Sequence, residues 1–199
     1  MTNKILFVDF NGVISYNHFW SEFATEKQAI SHIFGTDLVN EWMRGNKTSE
    51  EINEIFANVA GLDYESVLSS FIRDCEQIDL DETVLSLVSS KKDYIKILAT
   101  GNMDSFDRWT LAKNPILKDS FDYIHNSANL KTLKTDNNGQ YFLDTCQFFN
   151  ANIVNCIHID DSINICNIFN KLGGTAYNVT GSENVVNALK LVGEMELVL

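Results

Sequence analysis

Lys4-Ile5-Leu6-Phe7-Val8-Asp9-Phe10-Asn11-Gly12-Val13 is the stretch that decides the fold. Four apolar residues in a row stop abruptly at a carboxylate. A short apolar run of this kind reads as a strand buried on both faces of a parallel sheet, ending in a loop. Four more stretches repeat the design. Residues 95–99 are apolar apart from Lys96 and end at Thr100-Gly101-Asn102. A weaker run, Tyr123-Ile124, ends near Ser127. Residues 156–159 end at Asp160-Asp161, and residues 175–179 follow Gly173-Gly174.

Helical patterns fill the gaps. Phe106, Trp109 and Thr110 follow the second run, and residues 142–149 precede the fourth. Ile165, Ile168, Phe169 and Leu172 follow it at helical spacing, with Gly173 placed to end that helix. Strand and helix alternate, so the expected class is α/β: a Rossmann-like parallel sheet with helices on both faces. In such sheets ligands lie beyond the carboxyl ends of the strands. Asp9, Thr100, Ser127 and Asp160 all fall there.

Residues 16–84 break the alternation and read as helices only. Thr48-Ser49-Glu50-Glu51 is a capping box. Ile52, Ile55, Phe56 and Val59 then share one helical face, and Val67, Leu68, Phe71 and Ile72 another. A small all-helical insert after strand 1 can cover the sheet's carboxyl edge as a cap. The expected division is a core of residues 1–15 and 85–199 with a cap of residues 16–84.

The 199 residues suffice for such a pair, and 45 % hydrophobic with 21 % charged is an ordinary globular balance. A net charge of −12 and the lack of a basic stripe argue against a nucleic-acid partner. No window approaches the roughly 18 apolar residues of a membrane span, and the opening residues do not read as a signal peptide. Cys75, Cys146, Cys156 and Cys166 have no metal-binding spacing, and three sit in apolar stretches. Reduced, buried thiols in a cytoplasmic protein are expected.

Four motifs in series resemble those of the haloacid dehalogenase (HAD) superfamily. They are Asp9-Phe10-Asn11-Gly12-Val13, Thr100 after Ile97-Leu98-Ala99, Ser127 to Asp136 with Lys134, and Ile159-Asp160-Asp161-Ser162 with Leu172-Gly173. The segment Arg44-Gly45-Asn46-Lys47-Thr48-Ser49-Glu50-Glu51 is similar to the helical cap of the branch holding dehalogenases and epoxide-hydrolase-like phosphatases. The resemblance spans nearly the whole chain. It implies a phosphohydrolase acting on a small phosphorylated molecule through an aspartyl-phosphate on Asp9. Mg²⁺ would be held by Asp9, Asp161 and the backbone carbonyl of Asn11. Thr100, Gly101, Asn102 and Lys134 would hold the phosphoryl group, with Asp160 positioning Lys134; Lys131 competes for the lysine role. Phe19, Trp20, Trp42 and Arg44 in the cap would set specificity.

Two departures matter. The family's phosphatases carry a second Asp where this chain has Asn11, and an amide cannot exchange a proton as general acid and base. That help is worth roughly 10²–10⁴ in rate, so turnover is expected to be slow, least so for leaving groups of low pKa. The family also places Asp or Asn four residues after Asp161, where this chain has Ile165, with Asn164 one position early. Two alternatives follow: a binding or regulatory protein on the same scaffold, or a metal-independent 2-haloacid dehalogenase using Arg44.

Overall fold

The computed structural model describes residues 2–193. Met1 and residues 194–199, which the sequence assigns to the core, lie outside the described residues. Five strands form one parallel sheet: β1 (Ile5–Val8), β2 (Ile95–Thr100), β3 (Tyr123–Asn126), β4 (Ile157–Asp160) and β5 (Thr175–Asn178), in the order β3-β2-β1-β4-β5. All five fall on the apolar runs of the sequence.

The helices are α1 (Lys27–Phe34), α2 (Leu38–Met43), α3 (Ser49–Ala60), α4 (Tyr64–Glu76), α5 (Glu82–Ser90), α6 (Leu111–Lys113), α7 (Ile116–Ser120), α8 (Ser127–Leu130), α9 (Gln140–Phe148), α10 (Ile163–Lys171) and α11 (Ser182–Leu191). A π-helical turn, Phe106–Thr110, leads into α6.

The sheet is covered on both sides, as a parallel sheet must be. Alternate residues of β1 point opposite ways. Leu6 and Val8 join Leu98 and Ile159 in a core with α5, α7 and α11. Ile5 and Phe7 join Ile97 and Ala99 in a second core with α9 and α10. Every residue of β1 is buried, which is why its pattern is continuous rather than alternating.

A third apolar cluster belongs to α1–α4. Trp20 lies at its centre, stacked on Phe56 with ring centroids 4.5 Å apart. The indole N–H of Trp20 donates to Asn53 Oδ1 at 2.8 Å, which satisfies a polar group that burial would otherwise penalise. The capping box of α3 is present as read: Thr48 Oγ1 accepts from Glu51 N, and the Glu51 carboxylate accepts from Thr48 N. Ile78, Leu80, Val84 and Leu85 pack against the sheet's core, not against the cap cluster. All four cysteines are free and buried. No described helix is long and apolar enough to cross a membrane.

Candidate active site

Register places the chemistry. Val8 pairs with Leu98 on one side and with Ile159 on the other. The next residue of β1 is Asp9, the next of β4 is Asp160, and β2 closes at Thr100. Asp9 N donates to Ile159 O at 2.9 Å and so extends the ladder by one bond. Carboxylate oxygens of Asp9, Asp160 and Asp161 lie within 4.8 Å of one another.

Lys134, and not Lys131, meets this cluster. Its Nζ is 2.9 Å from Asp9 Oδ1 and donates to Asp160 Oδ2 at 2.5 Å, and its side chain is buried. Burial alone would lower the pKa of Lys134, but the charges of Asp9 and Asp160 outweigh it and raise the value. Burial pushes the Asp9 carboxyl up to about 7 against the pull of Lys134, with the charge of Asp160 adding to the rise. Asp160 goes the other way: burial opposes its ionisation, yet Lys134 and His158 hold its pKa below the ordinary carboxylate value. Asp160 also accepts from Ser162 N at 2.8 Å. His158 is buried, its pKa lowered by burial, and its Nε2 lies 2.9 Å from Asp160 Oδ2. An ionised carboxylate only accepts, so Nε2 carries the proton. His158 is absent from the sequence reading; a polar residue at an interior position of an apolar strand was the signal for it.

Asp160 already accepts from Lys134, His158 and Ser162, so Asp9 and Asp161 are the carboxylates with more acceptor sites free for a cation. A hard divalent ion such as Mg²⁺ takes one or two carboxylates together with carbonyl, phosphate and water oxygens. Asp9, Asp161 and the carbonyl of Asn11 are donors of that type, so the residues present fit the ion. Gly12, at φ +75°, brings the first loop against Asp161: a Cβ on it would lie 2.3 Å from Asp161 Oδ2. Asn164 is exposed on α10, whereas Ile165 lines the pocket beside Asp161.

That pocket, about 280 Å³, is lined by Asp9, Asn11, Gly101, Lys134, Asp160 and Asp161, among others. Thr100 lines a separate small void that shares Lys134, and its buried Oγ1 has no protein partner. Asn102 Nδ2 donates to Asn11 Oδ1 at 3.0 Å, tying the two strand-end loops together.

Asn11, Met43 and Gly101 also line a second, larger chamber of about 1050 Å³ that reaches into the cap. Phe19, Ile30, Phe34 and Val39 give it an apolar wall. Trp20 and Trp42 do not reach it: both are fully buried in the cap's own core, Trp42 on the inward face of α2 and Trp20 in the loop before α1. Arg44 does not line either cavity and is paired with Asp136 across the seam between cap and core. Of the four cap residues expected to set specificity, the structure leaves only Phe19 in position to do so.

The seam is polar. Ser127 Oγ lies within hydrogen-bond reach of Met43 O (2.7 Å) and Asn102 O (2.9 Å). Asp104 accepts from Trp42 Nε1 at 3.0 Å and from Ser49 Oγ at 2.6 Å. Lys131 Nζ donates to Gly45 O at 2.8 Å. Gly45 has φ +64°, and a Cβ on it would lie 2.7 Å from Ala128 O, so a larger residue there would wedge the two parts open.

No protein-family model matches the chain, and no curated protein does. Solved structures do. A HAD family enzyme from Bacteroides thetaiotaomicron, in complex with magnesium and inorganic phosphate, is 19 % identical over 92 % of this chain and 96 % of its own, with a TM-score of 0.73. A HAD-like family hydrolase from Porphyromonas gingivalis is 18 % identical over 96 % and 98 %, with a TM-score of 0.69. The L-2-haloacid dehalogenase of Xanthobacter autotrophicus, with chloropropionic acid covalently bound, is 11 % identical over 97 % and 84 %, with a TM-score of 0.60. The likeness at these identities is one of architecture, and it agrees with the order of motifs along the sequence: this chain has the haloacid dehalogenase-like fold.

Proposed function

We propose that the protein is a Mg²⁺-dependent phosphohydrolase of small phosphomonoesters, with Asp9 as nucleophile. The observation that carries this reading is the buried contact of Lys134 with Asp9 at the wall of a pocket that Asp161 also lines. A carboxylate nucleophile splits one hard displacement into two easier ones. Asp9 attacks phosphorus, the ester P–O bond breaks, and a phosphoryl group is left on Asp9. Water then attacks that phosphorus, the bond to Asp9 breaks, and inorganic phosphate departs.

Lys134 offsets negative charge on Asp9 and the phosphoryl oxygens, held in place by Asp160, which His158 in turn steadies. The unpartnered Oγ1 of Thr100, with the amides of Gly101 and Asn102, would hold phosphoryl oxygens. Asp9, Asp161 and the carbonyl of Asn11 would hold Mg²⁺, which when bound neutralises the repulsion between nucleophile and phosphate. The comparison structures support this: one carries magnesium and inorganic phosphate together.

Asn11 lines both cavities at the place where a leaving group would emerge, and its amide cannot give that group a proton. This observation favours a second reading, a binding protein that retains the scaffold. No arginine lines either cavity, and Arg44 is held by Asp136, which disfavours a dehalogenase. Hydrolysis of phenyl phosphate with and without Mg²⁺ tests the proposal, using the parent chain, Asp9→Asn and Asn11→Asp. Metal-dependent turnover, lost in the first variant and raised in the second, is expected. No turnover in any of the three folded proteins would favour the binding reading.

A further inference from the structure

The large chamber has a chemical character of its own. It joins the carboxylate pocket through Asn11, Met43 and Gly101, so whatever is attached to a phosphoryl group at Asp9 extends into it. Its volume, about 1050 Å³, is at the upper end of what small-molecule sites span. No lysine or arginine lines it, and His18 is the one lining residue able to carry positive charge. Asp74 contributes a carboxylate, already accepting from Ser21 N and Ser21 Oγ at 2.7 Å each. A second phosphate or a carboxylate on the substrate would therefore meet the Asp74 carboxylate with no lysine or arginine to offset it, which disfavours a second negative charge there. Aromatic walls at Phe19 and Phe34 suit a flat ring.

A second, independent observation concerns the bond that breaks. Asn11 stands at the junction of the two cavities, and an amide there can donate a hydrogen bond but cannot deliver a proton. The departing oxygen must then leave as an anion and be protonated by water afterwards. That is tolerable for a phenol, which ionises at about pH 10 as a tyrosine does, and poor for an alkyl alcohol.

We propose that the leaving group is an uncharged aromatic alcohol, so that the substrate is an aryl phosphate carrying no charge beyond its single phosphoryl group. This rests on the phosphohydrolase reading and narrows it. In the step, Asp9 forms a bond to phosphorus and the aryl–O–P bond breaks at phosphorus. The aryloxide takes the electron pair, leaves through the chamber and collects a proton from water. Hydrolysis of the Asp9–phosphorus bond completes the sum: ester plus water gives phenol plus phosphate.

Three esters separate charge from leaving-group strength. Phenyl phosphate has both features, 4-carboxyphenyl phosphate adds a charge to a ring of similar leaving ability, and cyclohexylmethyl phosphate keeps an uncharged ring on an alkyl oxygen. With Mg²⁺, the carboxylated ester is expected to lose about tenfold or more in kcat/KM, mainly through KM, for want of a cation in the chamber. The alkyl ester is expected to lose about 100-fold or more in kcat with KM little changed, since it lacks the proton its oxygen needs. In Ile30→Arg the carboxylated ester should recover relative to phenyl phosphate. Equal kcat/KM for the charged and uncharged aryl esters, or alkyl turnover matching aryl, overturns the proposal while leaving the phosphohydrolase reading intact. Calorimetry with 1-naphthol and 1-naphthoate reads the chamber apart from turnover. Binding of the naphthol only, weakened in Phe34→Ser, supports the aromatic preference even if no ester is hydrolysed. No naphthol binding overturns it.

Discussion

The carboxyl edge of the sheet and the aromatic heart of the cap solve opposite problems. At the edge, Asp9, Lys134, Asp160 and His158 are all buried and polar, and they pair in series, Asp9 with Lys134, Lys134 with Asp160 and Asp160 with His158. In the cap, Trp20, Trp42, Phe56 and Phe71 are buried together, with the indole N–H groups of Trp20 and Trp42 donating to Asn53 and Asp104. The edge spends stability to hold charge out of water. The cap gains stability by burying aromatic area. The difference teaches where each kind of damage should register: at the edge in rate, in the cap in folding, and at the seam in a little of both.

The strongest way to break this division is at the nucleophile. Asp9→Asn should lower phenyl phosphate turnover by roughly 10⁴-fold or more, the scale on which removing a nucleophile acts, while the urea midpoint stays near that of the parent. A collapse of the fold instead would place Asp9 among the structural residues. Next comes the cap: Trp20→Ala should cost about 3–5 kcal/mol of unfolding free energy in urea titration. An unchanged midpoint would mean that the cap core does not support the cooperative fold.

Asn11→Asp sharpens the edge. Restoring a group that exchanges protons should raise kcat for cyclohexylmethyl phosphate by about 100-fold, with a clear but much smaller rise for phenyl phosphate. An equal gain on both esters would show that Asn11 limits something other than leaving-group protonation.

The smallest effect is expected at the seam. Burial opposes ionisation of Asp104, but bonds from Ser49, Arg108 and Trp42 prevail and hold its pKa below the ordinary 3.8. A carboxyl depressed on folding contributes stability that is full above its unfolded pKa and fades as pH falls through the folded one. The parent should therefore exceed Asp104→Asn by about 1–2 kcal/mol at pH 7, and the gap should close below pH 3.8. A gap independent of pH would point to packing rather than charge.

How much of this was legible in the sequence follows the same division. Strand ends are one-dimensional signals: an apolar run that stops at Asp9, Thr100 or Asp160 states both the element and where its exit lies. The capping box at Thr48 is equally local. The cap's lining is not local. Phe19 and Trp20 are adjacent, yet Phe19 lines the chamber and Trp20 is sealed away, because Trp20 sits at φ +56° just before a turn and faces α3 and α4. Pairings across the seam, Arg44 with Asp136 and Asp104 with Ser49, join residues 92 and 55 positions apart. Spacing along the chain carries no trace of them. Asn164 shows a third limit: a shift of one position on a helix turns a side chain by roughly 100°, enough to leave it in solvent while Ile165 faces the pocket.

The central position of β1 has a consequence for assembly. Its partners lie far along the chain, Ile5 opposite Ile95 and Leu6 opposite Ile157. Such pairings are slow, because a long loop must close before either is rewarded. As the chain emerges, the cap helices, built from near neighbours, have all their own residues long before β4 exists. The strand bearing Asp9 waits unpaired on one flank until residue 157 and those after it arrive. Asp160 ends that strand and Asp161 follows it, so the carboxylate cluster is completed only when β4 joins β1.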